Sequence, residues 1–321
     1  MAHRPALLDR PAFEGARAVV LALLAEARAR APRLADPTDA EALHDFRVAV
    51  RRLRSALRSW RGVLGRAVRE KDLRRLRRVA RATGEARDAE VLLAWIVGIA
   101  GDLPAAQRPA AGWIAGRVGG ARRETDLSRA VERLVAAAGP LERRLSSTRG
   151  APGEETFGQA LARRIRKQAA AVSAWLSRVE VPADAPVAHR ARIAGKRLRY
   201  LIEPLRDAPG TTPHGALKEL KRFQDLLGEL NDARTATDAL ASLVREAKKA
   251  RSPRRKRAAG PDPLAGLVAL RRRAERRTAD AFARLRREVL AAPEGGPLAP
   301  ALAIAAALES RARRTRGATA A

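Results

Sequence analysis

Leucine, alanine and valine recur along this chain at spacings of three and four, with arginine and glutamate filling the positions between. That period places apolar side chains on one face of a helix. The stretch from His44 to Leu64 is the clearest case, because Phe46, Val50, Leu53, Leu57, Trp60 and Leu64 fall on one stripe. Leu73, Leu76, Ala80 and Thr83 repeat the pattern on the next segment. Proline or glycine marks the breaks, and no alternating strand pattern persists. The pattern predicts an all-α fold.

The pattern also occurs twice. Phe13 aligns with Phe157, and "LRRLRRVARATGEARDAE" from Leu73 aligns with "LKELKRFQDLLGELNDAR" from Leu217, both 144 residues on; His44 aligns with His189, 145 on. "AGWIAGRVGGARRE" from Ala111 matches "AGLVALRRRAERRT" from Ala265 more loosely, at an offset of 154. The extra residues fall in a Pro-broken basic loop between Lys248 and Pro263. A repeat of this length is a bundle-sized unit, far longer than a solenoid repeat. The expected architecture is two pseudo-symmetric four-helix bundles from a tandem duplication, residues 10–147 and 155–291. A linker, "SSTRGAPGEET", joins them, and an Ala-rich tail follows over 292–321.

Charge changes the picture. The chain has 321 residues, 65 of them Lys or Arg against 35 Asp or Glu, a net charge of +30. Such a surface repels itself and seeks polyanions. On a helix, His44, Arg47, Arg51, Arg54 and Arg58 lie within about an 80° arc that borders the apolar stripe. Charges in that position line a groove between helices. In the second copy His189, Arg192, Lys196 and Arg199 repeat the spacing, with Glu203 in the fifth place. Arg52 and Arg197 fall outside the arc. The next helix adds Arg74, Arg77, Arg78 and Arg81, matched at the first three positions by Lys218, Lys221 and Arg222; Asp225 stands at the fourth.

The doubled motif His–x–x–Arg–x–x–x–Arg–Arg–Leu–Arg, followed by Gly–Glu–x–x–Asp at a helix end, resembles the CHAD family of histidine-containing α-helical domains. The resemblance covers about residues 10 to 291. It implies two helical halves that bind inorganic polyphosphate along a basic cleft between them, the eighteen Arg, Lys and His residues just named forming the site. Many relatives carry a CYTH-type triphosphatase domain, but the resemblance takes up nearly the whole of this sequence, so the expectation is a stand-alone binding domain; family analogy further implies association with polyphosphate granules. Polyphosphate has roughly one charge per unit and no bases, so guanidinium forks suit it. Aromatic residues make up only 3% of the chain, too few for the stacking platforms of single-strand binders. A nucleic-acid-binding, nucleoid-associated protein is the alternative, since charge alone does not separate the two polyanions.

The histidines admit three readings: phosphate donor, structural cap, or metal ligand. The last is weakest, because no His, Cys or carboxylate stands three or four residues on and basic neighbours oppose a cation. Asp225, Glu229 and Asp232 lie on one helical face and could hold Mg²⁺ in a polyphosphate phosphatase. The better reading is that Glu85, Asp88, Glu229 and Asp232 pair with nearby arginines. No phosphate-binding Gly loop, zinc-protease motif or nucleophile elbow occurs, so the expectation is no enzyme and no cofactor. The chain has no cysteine, which excludes disulfides and Cys-ligated zinc. The apolar run "AVVLALLA", Ala18 to Ala25, is too short for a membrane span, and with Asp9 and Glu14 before it reads as a buried helix face, not a signal peptide. The expected location is the cytoplasm, with no membrane partner.

Overall fold

A computed structural model describes residues 6–320 apart from 37, 40, 101–102, 124–126, 151–154, 207–211, 251–262 and 292–295. The described residues form eleven α-helices and no β-strand. The first half of the chain supplies α1 (Ala12–Arg30), α2 (Ala42–Leu64), α3 (Glu70–Ala82), α4 (Gly84–Ala100), α5 (Arg108–Arg123) and α6 (Leu127–Ser147). The second supplies α7 (Phe157–Leu176), α8 (Ala185–Ile202), α9 (His214–Ala250), α10 (Leu264–Leu285) and α11 (Ala299–Ala320).

Helix α2 buries the predicted stripe: Phe46, Val50, Leu53, Leu57, Trp60 and Leu64 are each no more than 2% exposed. Helix α3 buries Leu73, Leu76 and Val79 and turns its arginines outward. It is fixed on α6 by the buried Asp72, whose carboxylate accepts from the Arg144 guanidinium and from the Arg69 backbone N–H that opens the helix. The same carboxylate thus caps one helix and ties it to another.

The two halves differ at the glycine they share. Thr83 ends α3 and Gly84 begins α4, whereas Gly228 lies inside the unbroken α9. The Gly–Glu–x–x–Asp motif therefore opens a helix in the first half and lies inside one in the second, and in neither is it the helix end that the sequence suggests. Thr83 explains the break: its hydroxyl bonds the Val79 and Ala80 carbonyls and receives Arg47, competing with helix continuation. In α9 the matching position is the buried Leu227, which has no such option.

The apolar side chains gather in two cores, and each draws on both halves. The larger takes residues from α1, α2, α3, α6, α7, α8, the start of α9, the end of α10, and α11. The smaller joins α4 and α5 to the end of α9 and the start of α10. The boundary between 10–147 and 155–291 is thus a boundary of sequence rather than of packing. Trp60 of α2 stacks on Phe157 of α7 with ring centroids 4.7 Å apart. The starts of α1 and α7 lie side by side, with Ala12 N–H donating to Glu155 O at 3.1 Å and Phe157 N–H to Arg10 O at 2.8 Å. The tail over 292–321 contributes α11, whose Ala301, Ala305 and Leu308 enter the larger core against α7. Most of the inserted basic loop, residues 251–262, lies outside the described residues.

Candidate functional site

Helix α2 packs against α8, with α3 flanking α2 and α9 flanking α8. The seam between the two halves is where the basic stripes meet. Arg51 of α2 acts electrostatically on both Arg192 and Lys196 of α8, and Arg58 of α2 acts on Arg197. Arg54 is reached by Arg58, Arg77 of α3, Arg197 and Arg51. Three helices from two halves of the sequence thus converge their cations on one groove.

Burial and mutual repulsion leave a clear mark there. Burial first, then Arg192, Arg51 and Arg199, push the Lys196 ammonium down to about 7, with Asp232 of α9 opposing. Burial, then Arg58, Arg77, Arg197 and Arg51, push Arg54 down to about 10. Arg192 and Arg197 are lowered chiefly by burial as well. Guanidinium groups keep their protons at neutral pH regardless, so these shifts measure how far the cations are desolvated and crowded. The buried Nε–H groups of Arg51 and Arg192 find no hydrogen-bond acceptor among the described residues. Buried donors are normally satisfied, and charged ones are costly to leave without a partner.

The structure sorts the remaining sequence candidates. Arg47 is turned to the end of α3, donating to Ala80 O at 3.2 Å and Thr83 Oγ1 at 2.8 Å. Arg52 points away from the groove, between Glu26 at 3.1 Å and Glu203 at 3.0 Å. Arg199 borders the groove but pairs with Glu203 at 3.2 Å and lies over the Tyr200 ring. Arg74, Arg78 and Arg81 are exposed on α3, and Lys218 is exposed on α9, with no ion pair among the described residues. Lys221 pairs with Asp225 and Arg222 with Glu288, so the α9 counterparts are largely neutralised where the α3 set is not.

His44 is half-buried at the head of its stripe, beside Asp45. His189 is exposed, and its Nδ1–H donates to Asn231 Oδ1. Asn231 was not anticipated; only its place beside Asp232, one turn past Gly228, could have suggested it. Glu229 pairs with Arg284 at 2.8 Å, and Asp232 faces Arg192 and Lys196, as pairing with arginines requires. The side chains of Glu85 and Asp88 lie outside the described residues. No group of three His, Cys, Asp or Glu able to hold a metal occurs among the described residues.

The CHAD-domain profile matches residues 18–241, which span both stripes. The chain belongs to the CHAD family. Two solved structures share the fold. The CHAD domain from the plant Ricinus communis is 21% identical, with a TM-score of 0.69 over 91% of this chain and 96% of that one. PptA from Streptomyces chartreusis is 18% identical, with a TM-score of 0.62 over 86% of this chain and 98% of its own. Comparison with curated proteins finds no match. No helix among the described residues of this CHAD protein is long and apolar enough to cross a membrane.

Proposed function

We propose that this CHAD protein binds inorganic polyphosphate, without turnover, in the groove between α2 and α8. The observation that carries the reading is the pair of buried Nε–H donors on Arg51 and Arg192, set without acceptors among the described residues and amid cations that repel one another. A polyanion threaded along the groove supplies the missing acceptors and the missing negative charge. Arg51, Arg54, Arg58, Arg192, Lys196 and Arg197 make the central contacts. The exposed α3 arginines extend the track, and each histidine stands at the start of its helix's basic stripe. A chain of phosphates with no bases needs forks and charge, which this groove has. Binding of this kind suits a protein of polyphosphate granules.

The test is a calorimetric titration of the full chain with polyphosphate, in competition with excess duplex DNA and with phosphate release monitored. Polyphosphate should bind, DNA should compete poorly, and no phosphate should appear. Reversing Arg51 and Lys196 to Glu should cost about 1.5–3 kcal/mol per lost charge-assisted contact, roughly ten- to a hundredfold in affinity each. Reversing Arg133 on α6 and Lys167 on α7, both exposed and outside the groove helices, is the control. Equal losses from the two pairs would assign binding to bulk charge, DNA displacing polyphosphate at equal charge would favour the nucleic-acid reading, and released phosphate would make the protein an enzyme.

A further inference from the structure

The apolar run Ala18–Ala25 raises a problem that the groove does not solve. A helix that is apolar around its whole circumference is normally covered on every side. Helix α1 buries Val19, Val20 and Leu24 in the larger core, which accounts for one face only. Ala18 and Ala22, with flanks of Val19 and of Leu23, which also packs on that core, lie along the wall of a cavity of about 480 Å³. Small side chains at Ala18 and Ala22, one turn apart, leave the space open. The volume falls within the range of small-molecule sites.

The rim has a definite chemistry. Leu7 and Pro204 extend the apolar wall, while Glu26, Arg52, Glu203 and Arg206 are the charged residues lining it. Both carboxylates are already engaged: Arg52 bridges Glu26 and Glu203, and Glu203 also holds Arg199. Two guanidinium groups, Arg52 and Arg199, thus satisfy the two carboxylates, and Arg206, exposed at the rim, makes no ion pair with any described residue. Tyr200 also lines the cavity. It is only 8% exposed, and its hydroxyl makes no hydrogen bond to a described residue. A hydroxyl on the cavity wall and an exposed arginine at its rim, neither with a partner among the described residues, together favour an anionic head group.

We infer that this cavity binds a small organic monoanion with an apolar body, its head group at Arg206 and Tyr200 and its body along Ala18, Ala22 and Leu23. A carboxylate on an alkyl chain or an aromatic ring has the required form. Polyphosphate does not, since it has no apolar part. The site is therefore separate from the groove, and Arg52 belongs to it rather than to the polyphosphate track.

The experiment uses the full chain and sodium decanoate below its micellar concentration, followed by calorimetry, with decyltrimethylammonium as a cation of equal chain length. Decanoate should bind saturably at one site, and the cation should not. Ala22→Trp fills the cavity from an exposed helix position and should weaken decanoate binding by at least about tenfold. Arg206→Glu should do the same, while Arg206→Lys retains most of the affinity. Polyphosphate titrations of these variants should match the parent chain, which separates failure of this site from failure of the groove. If Ala22→Trp loses its cooperative melt, Ala18→Phe serves the same purpose. Absence of saturable decanoate binding, equal binding of both amphiphiles, or indifference to the filling substitutions would overturn the assignment.

Discussion

Lys196 is an amine set among guanidiniums, and it is the groove cation that titrates near neutrality. Its ordinary value of 10.5 is lowered to about 7 by burial and by Arg192, Arg51 and Arg199. In the unfolded chain the amine holds its proton up to about pH 10.5, but in the folded chain only up to about 7. Between those values the unfolded state binds the extra proton, so the free protein gains stability as pH rises from 7 towards 10.5. Polyphosphate bound in the groove as proposed would reverse the preference, because a polyanion favours the charged amine. Affinity should therefore rise about tenfold from pH 8 to pH 6, with uptake of up to one proton per site. Calorimetry in buffers of different ionisation enthalpy measures that uptake. Lys196→Arg should remove most of the pH dependence while keeping both histidines, and an unchanged profile would sink the idea. The stripe itself was legible, because helical spacing alone puts Arg51, Arg54, Arg192 and Lys196 on groove-facing arcs. Which cations are captured by the protein's own acceptors was not. Arg47 goes to Thr83 and Arg52 to Glu203, and Glu203 comes from the other half of the chain.

Helix α8 can present Arg192 and Lys196 to Asp232 only by lying close on α9. Gly195 permits this approach, since a Cβ there would come within 2.6 Å of the Phe223 ring. Gln224 adds a hydrogen bond to the Gly195 carbonyl at 3.1 Å. Gly62 of α2 is the natural contrast, exposed and with nothing within 4 Å of an added Cβ. Alanine is the better helix former by about 1 kcal/mol at either site. Gly62→Ala should therefore raise stability by about 0.5–1 kcal/mol. Gly195→Ala should lower it, because overpacking costs about 1–3 kcal/mol and separates the two helices. Urea denaturation of both variants checks the difference in sign, and a stabilising Gly195→Ala would show that the α8–α9 contact is loose. Strongly patterned helices such as α2 were readable because apolar and charged residues alternate at a clear period. Helix α11 was not, since an Ala-rich segment has little contrast between faces. Its position is decided by partners in distant sequence, among them the Arg166–Glu309 and Arg311–Asp9 ion pairs.

A net charge of +30 is sustained here by cores that cross the midpoint of the chain. The sequence offers two similar halves, and similarity invites the expectation that each packs on itself. Periodicity identifies which side chains are buried but not against which partner, so the crossing was invisible until the helices were placed. Trp60 meets Phe157, and Arg164 of α7 lies over the Trp60 ring while its Nε donates to Ser59 O at 2.9 Å. The groove is divided in the same way, with Arg51, Arg54 and Arg58 on one side of the midpoint and Arg192, Lys196 and Arg197 on the other. Cutting the chain between residues 150 and 151 should therefore disable both stability and binding. Each fragment alone would expose the face it buries against the other, and neither should show a cooperative thermal transition. Each would also carry half of the groove's cations, so affinity for polyphosphate should fall by at least about a hundredfold. Co-expressed fragments should associate, because the apolar faces of α1, α2, α7 and α8 remain complementary, and the complex should recover most of the affinity. Circular dichroism melts and polyphosphate titrations of the fragments, alone and together, give the answer. A first fragment that melted cooperatively and bound polyphosphate as tightly as the whole chain would remove the groove from the seam between the halves.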